Sequence, residues 1–505
     1  MPSSPRVRKN ILNLTKDEKD TLIRAFKGIQ TVPAGKDADV FFELAGLHGQ
    51  PFRGPGYGNK TWWGGYCHHG NVLFPTWHRA YLLALEDALR KIPGCENLAL
   101  PYWDEMCGEG KGDSERVIPE IFTNKTYVLD GKEIHNPLYS YKFAKGFVDR
   151  LSRPDVDYSK PKGYETVRFP YSGLRSKKDG PRADLHNSTI NNLSEAQVIE
   201  LLNKNVRKYL NGWTMDDGQY VPGQRHKYVD TLDAPNYTVF SNTTSAMKWN
   251  DDHVHDNAQD AAVALESPHN AIHVAVGGYD LPDEPSKDFE GANGDMGEND
   301  TAAFDPIFFF HHCFIDRVFW AWETKPGNKV EIIKEYPGTS PVDMQGPTPG
   351  IMAGDWLTLD TPLHPFPYKS AELIHTKVPY RYDDANIVCP SHVDRTPVED
   401  ASTHHVRISG IDRSSIAGSF VISAWAEHPD GTKTLVGYEP VLSRWHVGGC
   451  ANCNNHLKVT AYIPLRGFTQ DFVDAATFGS RICTRDNRRG QDLDNEVHLT
   501  DVVRR

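Results

Sequence analysis

The sequence predicts a mainly α domain followed by a small antiparallel β domain. Four helical patterns, separated by long Gly-, Pro- and Asp-rich connections, occupy the chain before residue 385, and short runs of two-residue alternation replace them afterwards. Size points the same way: 505 residues exceed what one hydrophobic core serves, so a large domain plus a smaller one is expected. With 39% hydrophobic and 24% charged residues, the composition is that of a soluble globular chain. No stretch approaches the roughly 20 apolar residues of a membrane span. A formal net charge of -12 disfavours nucleic acid and anionic membranes and leaves a small or neutral substrate as the easier partner.

The first helix is expected over residues 15–30, where Thr15 and Glu18 form a capping box ahead of an amphipathic run. A second should begin near Pro75 and end about Lys91, with Tyr81, Leu82, Leu85 and Leu89 facing inward. In "ESPHNAIHVAVGG" Ser267 can cap, Pro268 can take the first helical position, and Gly277-Gly278 ends the helix. In "FDPIFFFHHCFIDRVFWAWE" Asp305 caps and Pro306 opens the fourth. Residues 385–404, with Pro390, Pro397 and few large apolar side chains, read as a linker between a domain of residues 1–384 and β strands over 405–490. Asp430-Gly431 marks a turn between strands, and residues 491–505 read as a polar tail.

The N-terminal stretch "MPSSPRVRKNILNLTKDEKD" has no apolar signal-like core, and eight cysteines are too sparse for a disulfide scaffold, so a reduced, cytoplasmic protein is expected. N-x-S/T sequons at Asn13, Asn59, Asn124, Asn187, Asn192, Asn236, Asn242 and Asn299 keep a secreted or cell-wall location open.

Chemistry concentrates in the histidines. His269 and His273 lie four apart, on one helix face, and His311-His312 follow three phenylalanines in a helix that should be buried. "GGYCHHGNVLFPTWHRAY" adds Cys67, His68, His69 and His78, with His48 upstream in "GLHGQP". Two sets of three imidazoles suit copper, zinc or iron; a di-iron bundle would draw most of its ligands from glutamates, so sets made of histidine alone favour copper and leave a zinc or di-iron hydrolase as a rival.

"HHGNVLFPTWHRAY", "PHNAIH" and "FDPIFFFHHCFIDR", in that order, resemble the copper A and copper B motifs of the type 3 copper proteins: tyrosinases, catechol oxidases and haemocyanins. "GLHGQP" and Cys67-His68-His69 resemble the fungal branch, "RVRKN" at Arg6–Asn10 its start, and "PYRYDD" at Pro379–Asp384 its closing tyrosine motif. The resemblance implies a four-helix-bundle dicopper core followed by a β-sandwich that shields it, as in fungal pro-tyrosinases. It implies His48, His69 and His78 on copper A and His269, His273 and His312 on copper B. His312 is preferred to its neighbour because the family's ligand precedes an aspartate, here Asp316, by four residues. His311 and Phe308 then support the ligands, and His68 is a neighbour.

The resemblance further implies a thioether from Cys67 to His69, against the alternative of a small buried hydrophobe. It implies copper delivery through the Cys450/Cys453 pair, and a lid side chain filling the substrate pocket, with Tyr438 and Trp445 as candidates. Cys95, Cys107, Cys313, Cys389 and Cys483 read as structural. Glu266 and Asn270 match the pair that orients a water as base for monophenol hydroxylation, although Glu266 at a helix N-terminus also complements the dipole. Val274 holds a position that tunes activity, and its apolar side chain argues against strong monophenolase action. The expected activity is that of a latent phenol oxidase using O2 and two copper ions to turn monophenols into o-diphenols and o-quinones for melanin-like pigment. Catechol oxidase and haemocyanin-like O2 binding are the alternatives. A copper chaperone, an activating protease cutting in 385–404 and a homo-oligomeric partner complete the expectations.

Overall fold

The computed structural model describes all residues except 1–4, 36, 38–39, 52–64, 111, 150–157, 254–260, 282–288, 341–355, 392, 394–397, 448–449, 451–452, 454–455, 487–497 and 501–505, with backbone alone at 113 and 498–500. Pro397, the sequon at Asn59 and most of the expected tail lie outside the described residues.

The N-terminal region is helix-rich with small sheets. It runs β1 (Arg6–Arg8), α1 (Lys16–Thr31), α2 (Phe41–His48), α3 (Phe74–Arg90), the hairpin β2 (Thr126–Leu129) and β3 (Lys132–His135), and the pair β4 (Phe147–Val148) and β5 (Ser159–Lys160). Then follow α4 (Asp179–Ile190), α5 (Glu195–Asn211), the hairpin β6 (Gly212–Thr214) and β7 (Tyr220–Pro222), α6 (Gln224–Thr231), α7 (Tyr237–Ser241), α8 (Thr243–Asp252), α9 (Glu266–Gly277), α10 (Ile307–Thr324) and β8 (Tyr380–Tyr382). The four expected helices are α1, α3, α9 and α10. Thr15 and Glu18 close the capping box of α1 as expected. Two caps differ. α9 opens at Glu266, and Ser267 instead donates from Oγ to Glu439 Oε1 at 2.6 Å; α10 opens at Ile307, with Asp305 still accepting from the Ile307 N–H at 3.2 Å. α2 and α4 to α8 were not anticipated.

Gly277 and Gly278 end α9 for a steric reason. A Cβ on Gly277 would stand 1.8 Å from the Gly297 nitrogen, and Gly278 has φ 127°, a left-handed conformation that glycine adopts freely. The helix is therefore free to lie against the 293–297 loop.

The C-terminal region contains β9 (His405–Asp412), β10 (Phe420–Glu427), β11 (Lys433–Val441), β12 (Lys458–Pro464), the short α11 (Gln470–Ala475), β13 (Thr477–Thr484) and β14 (His498–Thr500). They form two three-stranded antiparallel sheets, ordered β11-β10-β13 and β12-β9-β14. β14 corrects the reading of 491–505 as tail alone: its register pairs His498 with Ser409 and Thr500 with Arg407. The sheets meet α9 through β11 and α8 through β12.

Parallel pairing of β1 with β8 joins the two ends of the helical region. Beneath it lies a buried charge cluster. Asp316 of α10 accepts from Arg79 Nε at 2.5 Å, Arg8 at 3.1 Å, and the hydroxyls of Tyr380 and Tyr382, both at 2.5 Å. Burial alone would push the Asp316 carboxyl up; Arg79, Arg8 and the two hydroxyls outweigh it and hold it low. Arg79 continues to Glu323 at 2.8 Å, and Arg8 approaches Glu86 at 3.5 Å. This cluster fixes α3 to α10, the helices that bring His78 and His312 together. Asp316→Asn, which removes the carboxylate that two buried guanidinium groups share and leaves them only the carboxylates of Glu323 and Glu86, should cost about 3–5 kcal/mol of stability in chemical denaturation; a change under about 1 kcal/mol would show the cluster is solvated.

Candidate metal centre

His48 ends α2, His69 sits in the loop before α3, and His78 lies one turn into α3, where its Nδ1–H donates to the Phe74 carbonyl at 2.8 Å. The three rings approach with centroids 5.1 to 5.6 Å apart. On the other side, His269 and His273 project from α9 toward His312 of α10. The His312 Nε2 lies 3.3 Å from His269 Nε2 and 3.2 Å from His273 Nε2. The two groups face each other: the His78 and His312 rings stack at 4.5 Å and those of His69 and His269 at 5.7 Å. Phe308 lies between them, 4.9 Å from His48 and 4.0 Å from His312.

Tautomers are set by the surroundings. His273 Nδ1–H donates to the Met296 carbonyl at 2.9 Å and His269 Nδ1–H to Asn270 Oδ1 at 3.0 Å, which turns both Nε2 lone pairs inward. Burial, reinforced by neighbouring imidazoles, drives the pKa of His48, His69, His269, His273 and His312 well below the ordinary histidine value, and that of His78 to about 3. All six are neutral and hold lone pairs with no proton to share. The Nε2 atoms of His48, His69 and His78 are buried without a hydrogen-bond partner among the described residues. Unpartnered buried polar atoms are costly, and two sets of three that converge within 4.8 Å fit two ions with imidazole ligands.

His311 also falls within the second group. Its Nδ1 is 2.5 Å from Glu105 Oε1, and Glu105 is held in turn by Arg225 through its carbonyl and by the Tyr228 hydroxyl. His311 is thus tied to the wall behind His269 and His273, whose rings it packs against at 5.2 and 4.9 Å. Nothing local in the sequence marks Glu105, 206 residues away. His68 points away from both groups toward Asn71 Nδ2 at 3.2 Å.

The remaining candidates are placed as follows. Glu266 Oε1 accepts from the Gly70 N–H at 2.7 Å, and Oε2 accepts from the Thr243 N–H and hydroxyl, both at 3.0 Å. It therefore clamps the loop carrying His69 to the starts of α8 and α9. Val274 is fully buried and, among the described residues, does not line the cavity at Glu266. Cys67 is a buried cysteine outside any disulfide, and its Sγ accepts from Arg444 at 3.0 Å and Asn299 Nδ2 at 3.7 Å. Cys450 and Cys453 form a disulfide; in this form they offer Cu(I) no thiolate, so the expected delivery role would require the reduced pair. Tyr438 packs on Tyr209 and Trp213, and Trp445 on Tyr158 beneath Arg485, so these rings are engaged elsewhere. The C-terminal residues that line the cavity at Glu266 and Asn270 include Arg413, Val441, Leu442, His456 and Lys458. Of the sequons, Asn242 and Asn299 are buried and cannot carry a glycan in this fold.

A family model for the common central domain of tyrosinase matches residues 38–325. A tyrosinase of Aspergillus oryzae is 47% identical over 97% of this chain and 94% of its own, and tyrosinase HcTyr2 of a Hahella species is 43% identical over 95% and 90%. The solved tyrosinase of Burkholderia thailandensis at low pH superposes with a TM-score of 0.79 at 41% identity, covering 96% of both chains. The chain belongs to the tyrosinase family. It is a phenol oxidase of the type 3 copper class, and that family implies a dinuclear copper centre.

Replacing one histidine in either group should remove one ion and spare the other. His78→Gln and His312→Gln are each expected to bind half the copper of the parent chain by atomic absorption; full loading of both variants would contradict the two triads.

Proposed function

We propose that this chain is a latent tyrosinase, which hydroxylates monophenols to o-diphenols, oxidises these to o-quinones with O2 for melanin-like pigment, and is held inactive by its C-terminal β domain. In this reading residues 1–384 form the catalytic domain around a bundle of α2, α3, α9 and α10, and the two sheets of 405–490 form a sandwich over it. His48, His69 and His78 would hold copper A, and His269, His273 and His312 copper B; once bound, the pair supplies O2 activation and oxidising equivalents.

The observation that carries latency is the space left at Glu266. A cavity of about 50 Å³ there is lined on the core side by residues that include Gly70, Glu266 and Asn270, and on the lid side by Val441 and Leu442 together with the polar Arg413, His456 and Lys458. That admits a water or two at ~30 Å³ each, whereas a cavity of about 150 Å³ is what accommodates an aromatic ring. Glu439 pins the lid by accepting from Ser267 Oγ at 2.6 Å and pairing with Lys227. Val441 and Leu442, rather than Tyr438 or Trp445, are the placeholders this reading favours.

Burial raises the Glu266 carboxyl pKa against the opposing pull of the Thr243 and Gly70 donors. A carboxylate with a raised pKa is a better proton acceptor, and together with Asn270 it can orient a water to deprotonate a phenol. Asn270 has a second task, since it fixes the His269 tautomer. The apolar Val274 favours a weaker monophenolase, and catechol oxidase is the second reading. A thioether between Cys67 and His69, copper acquisition from a chaperone through reduced Cys450 and Cys453, and association with a second copy belong to the same proposal, as does a cytoplasmic location.

Activation would proceed by cleavage in 385–404. That segment is less open than its composition implied: Ile387, Val393, Ser402 and His404 are buried, while Val388, Glu399 and Asp400 are exposed and offer the cleavage points. Limited proteolysis there, followed by oxygen uptake on tyrosine and on L-DOPA, should raise turnover of both. Turnover of L-DOPA alone would move the chain to the catechol oxidases, and unchanged high activity before cleavage would contradict latency.

A further inference from the structure

The geometry points to Arg444, in the β domain, as a positioning residue for the copper A ligands, so that the shielding domain braces this ion's site as well as covering the substrate face. The inference rests on the dicopper reading above.

Arg444 is 1% exposed, and one of its terminal guanidinium nitrogens donates to the His48 carbonyl at 3.1 Å and to Cys67 Sγ at 3.0 Å. His48 is the last residue of an eight-residue helix, where the final carbonyls have no partner within the helix and the dipole favours a cation. Two other carbonyls near this end are answered from the core: Leu47 by the Tyr66 N–H at 2.8 Å and Leu44 by the Tyr81 hydroxyl at 2.7 Å. The described partner of the His48 carbonyl comes from the lid. Cys67 stands two residues before His69, so the same guanidinium reaches the backbone of one ligand and the loop of another.

The surroundings leave little slack. A Cβ on Gly65 would lie 2.1 Å from the His48 oxygen, and one on Gly49 2.4 Å from the Asp300 oxygen. Segment 443–445 is threaded onto this nest. Ser443 accepts from the Asn299 N–H at 3.2 Å, the Trp445 N–H donates to Asp300 Oδ2 at 2.8 Å, and the Gln50 N–H donates to the Asp300 carbonyl at 2.8 Å. The copper A wall is thus built from residues 48–50, 65–67, 299–300 and 443–445 together. Copper B differs. Its ligands stand on the longer α9 and α10, and the partners of His269 and His273, Asn270 and Met296, belong to the core. Loss of the lid contact should therefore loosen one ion and leave the other.

The test uses the full chain, copper-loaded, as the parent, Arg444→Ala and Arg444→Lys. Each is exposed to EDTA for a fixed time; copper per chain is then read by atomic absorption and the copper(II) spectrum by electron paramagnetic resonance, with thermal melting as the folding control. The parent should keep two ions. Arg444→Ala should keep one, with the spectrum of an isolated copper, while Arg444→Lys, which restores one cationic donor, should release its first ion at an intermediate rate. Glu439→Gln, which loosens the lid away from this wall, should keep both. Arg444→Ala retaining two ions as firmly as the parent, or losing both in step, overturns the inference. If Arg444→Ala does not fold, equal release of both ions from Arg444→Lys overturns it. A parent chain that never binds two ions refutes the dicopper reading instead.

Discussion

Six neutral imidazoles held in a water-poor interior with their lone pairs facing one another are unfavourable unless something accepts those lone pairs. Each Nε2 that lacks a partner represents desolvation without a hydrogen bond in return. Protonation offers no escape, because burial holds the pKa of these rings far below neutrality. The surrounding architecture serves this arrangement. Phe74, Met296 and Asn270 accept from Nδ1, Phe308 packs against His48 and His312, and the Arg8–Arg79–Asp316 cluster clamps the helices that supply His78 and His312. The distance between His269 Nε2 and His312 Nε2 is set by where α9 and α10 cross, so the packing of the core decides the geometry of the site.

The helices that carry most of the histidines were legible because their signals are local. Four-residue spacing puts His269 and His273 on one face, the capping box opens α1, and a proline just inside α3 marks its start. The change to two-residue alternation located the β region. Less legible was what depends on contacts between distant segments. α2 is buried on nearly all sides and so has a weak periodic pattern, which hides the helix while leaving His48 visible in its motif. Glu105 and Arg444 carry no motif; each matters only because the fold brings it to a histidine or its carbonyl from far along the chain. β14 is illegible in the sequence because three residues of strand in a polar stretch give too short a pattern. The lid aromatics show the same limit: Tyr438 and Trp445 stood out by residue type, yet it is Val441 and Leu442 that line the cavity.

The β domain is more deeply joined to the core than a removable plug would need to be. β11 lies along α9, Glu439 meets Ser267 and Lys227, and segment 443–445 enters the wall behind His48 and Cys67. The β domain is thus attached both beside the cavity at Glu266 and at the wall behind His48. Glu266 likewise serves two places: one carboxylate holds the His69 loop and lines the cavity beneath the β domain.

The central claim, that two sets of three imidazoles hold two adjacent ions, is tested most directly by anomalous diffraction at the copper edge from crystals of the copper-loaded full chain. The account predicts two peaks, one enclosed by His48, His69 and His78 and the other by His269, His273 and His312, with His311 outside bonding distance of either. A single peak between the groups, or a second ion held by His311 in place of His312, would contradict it.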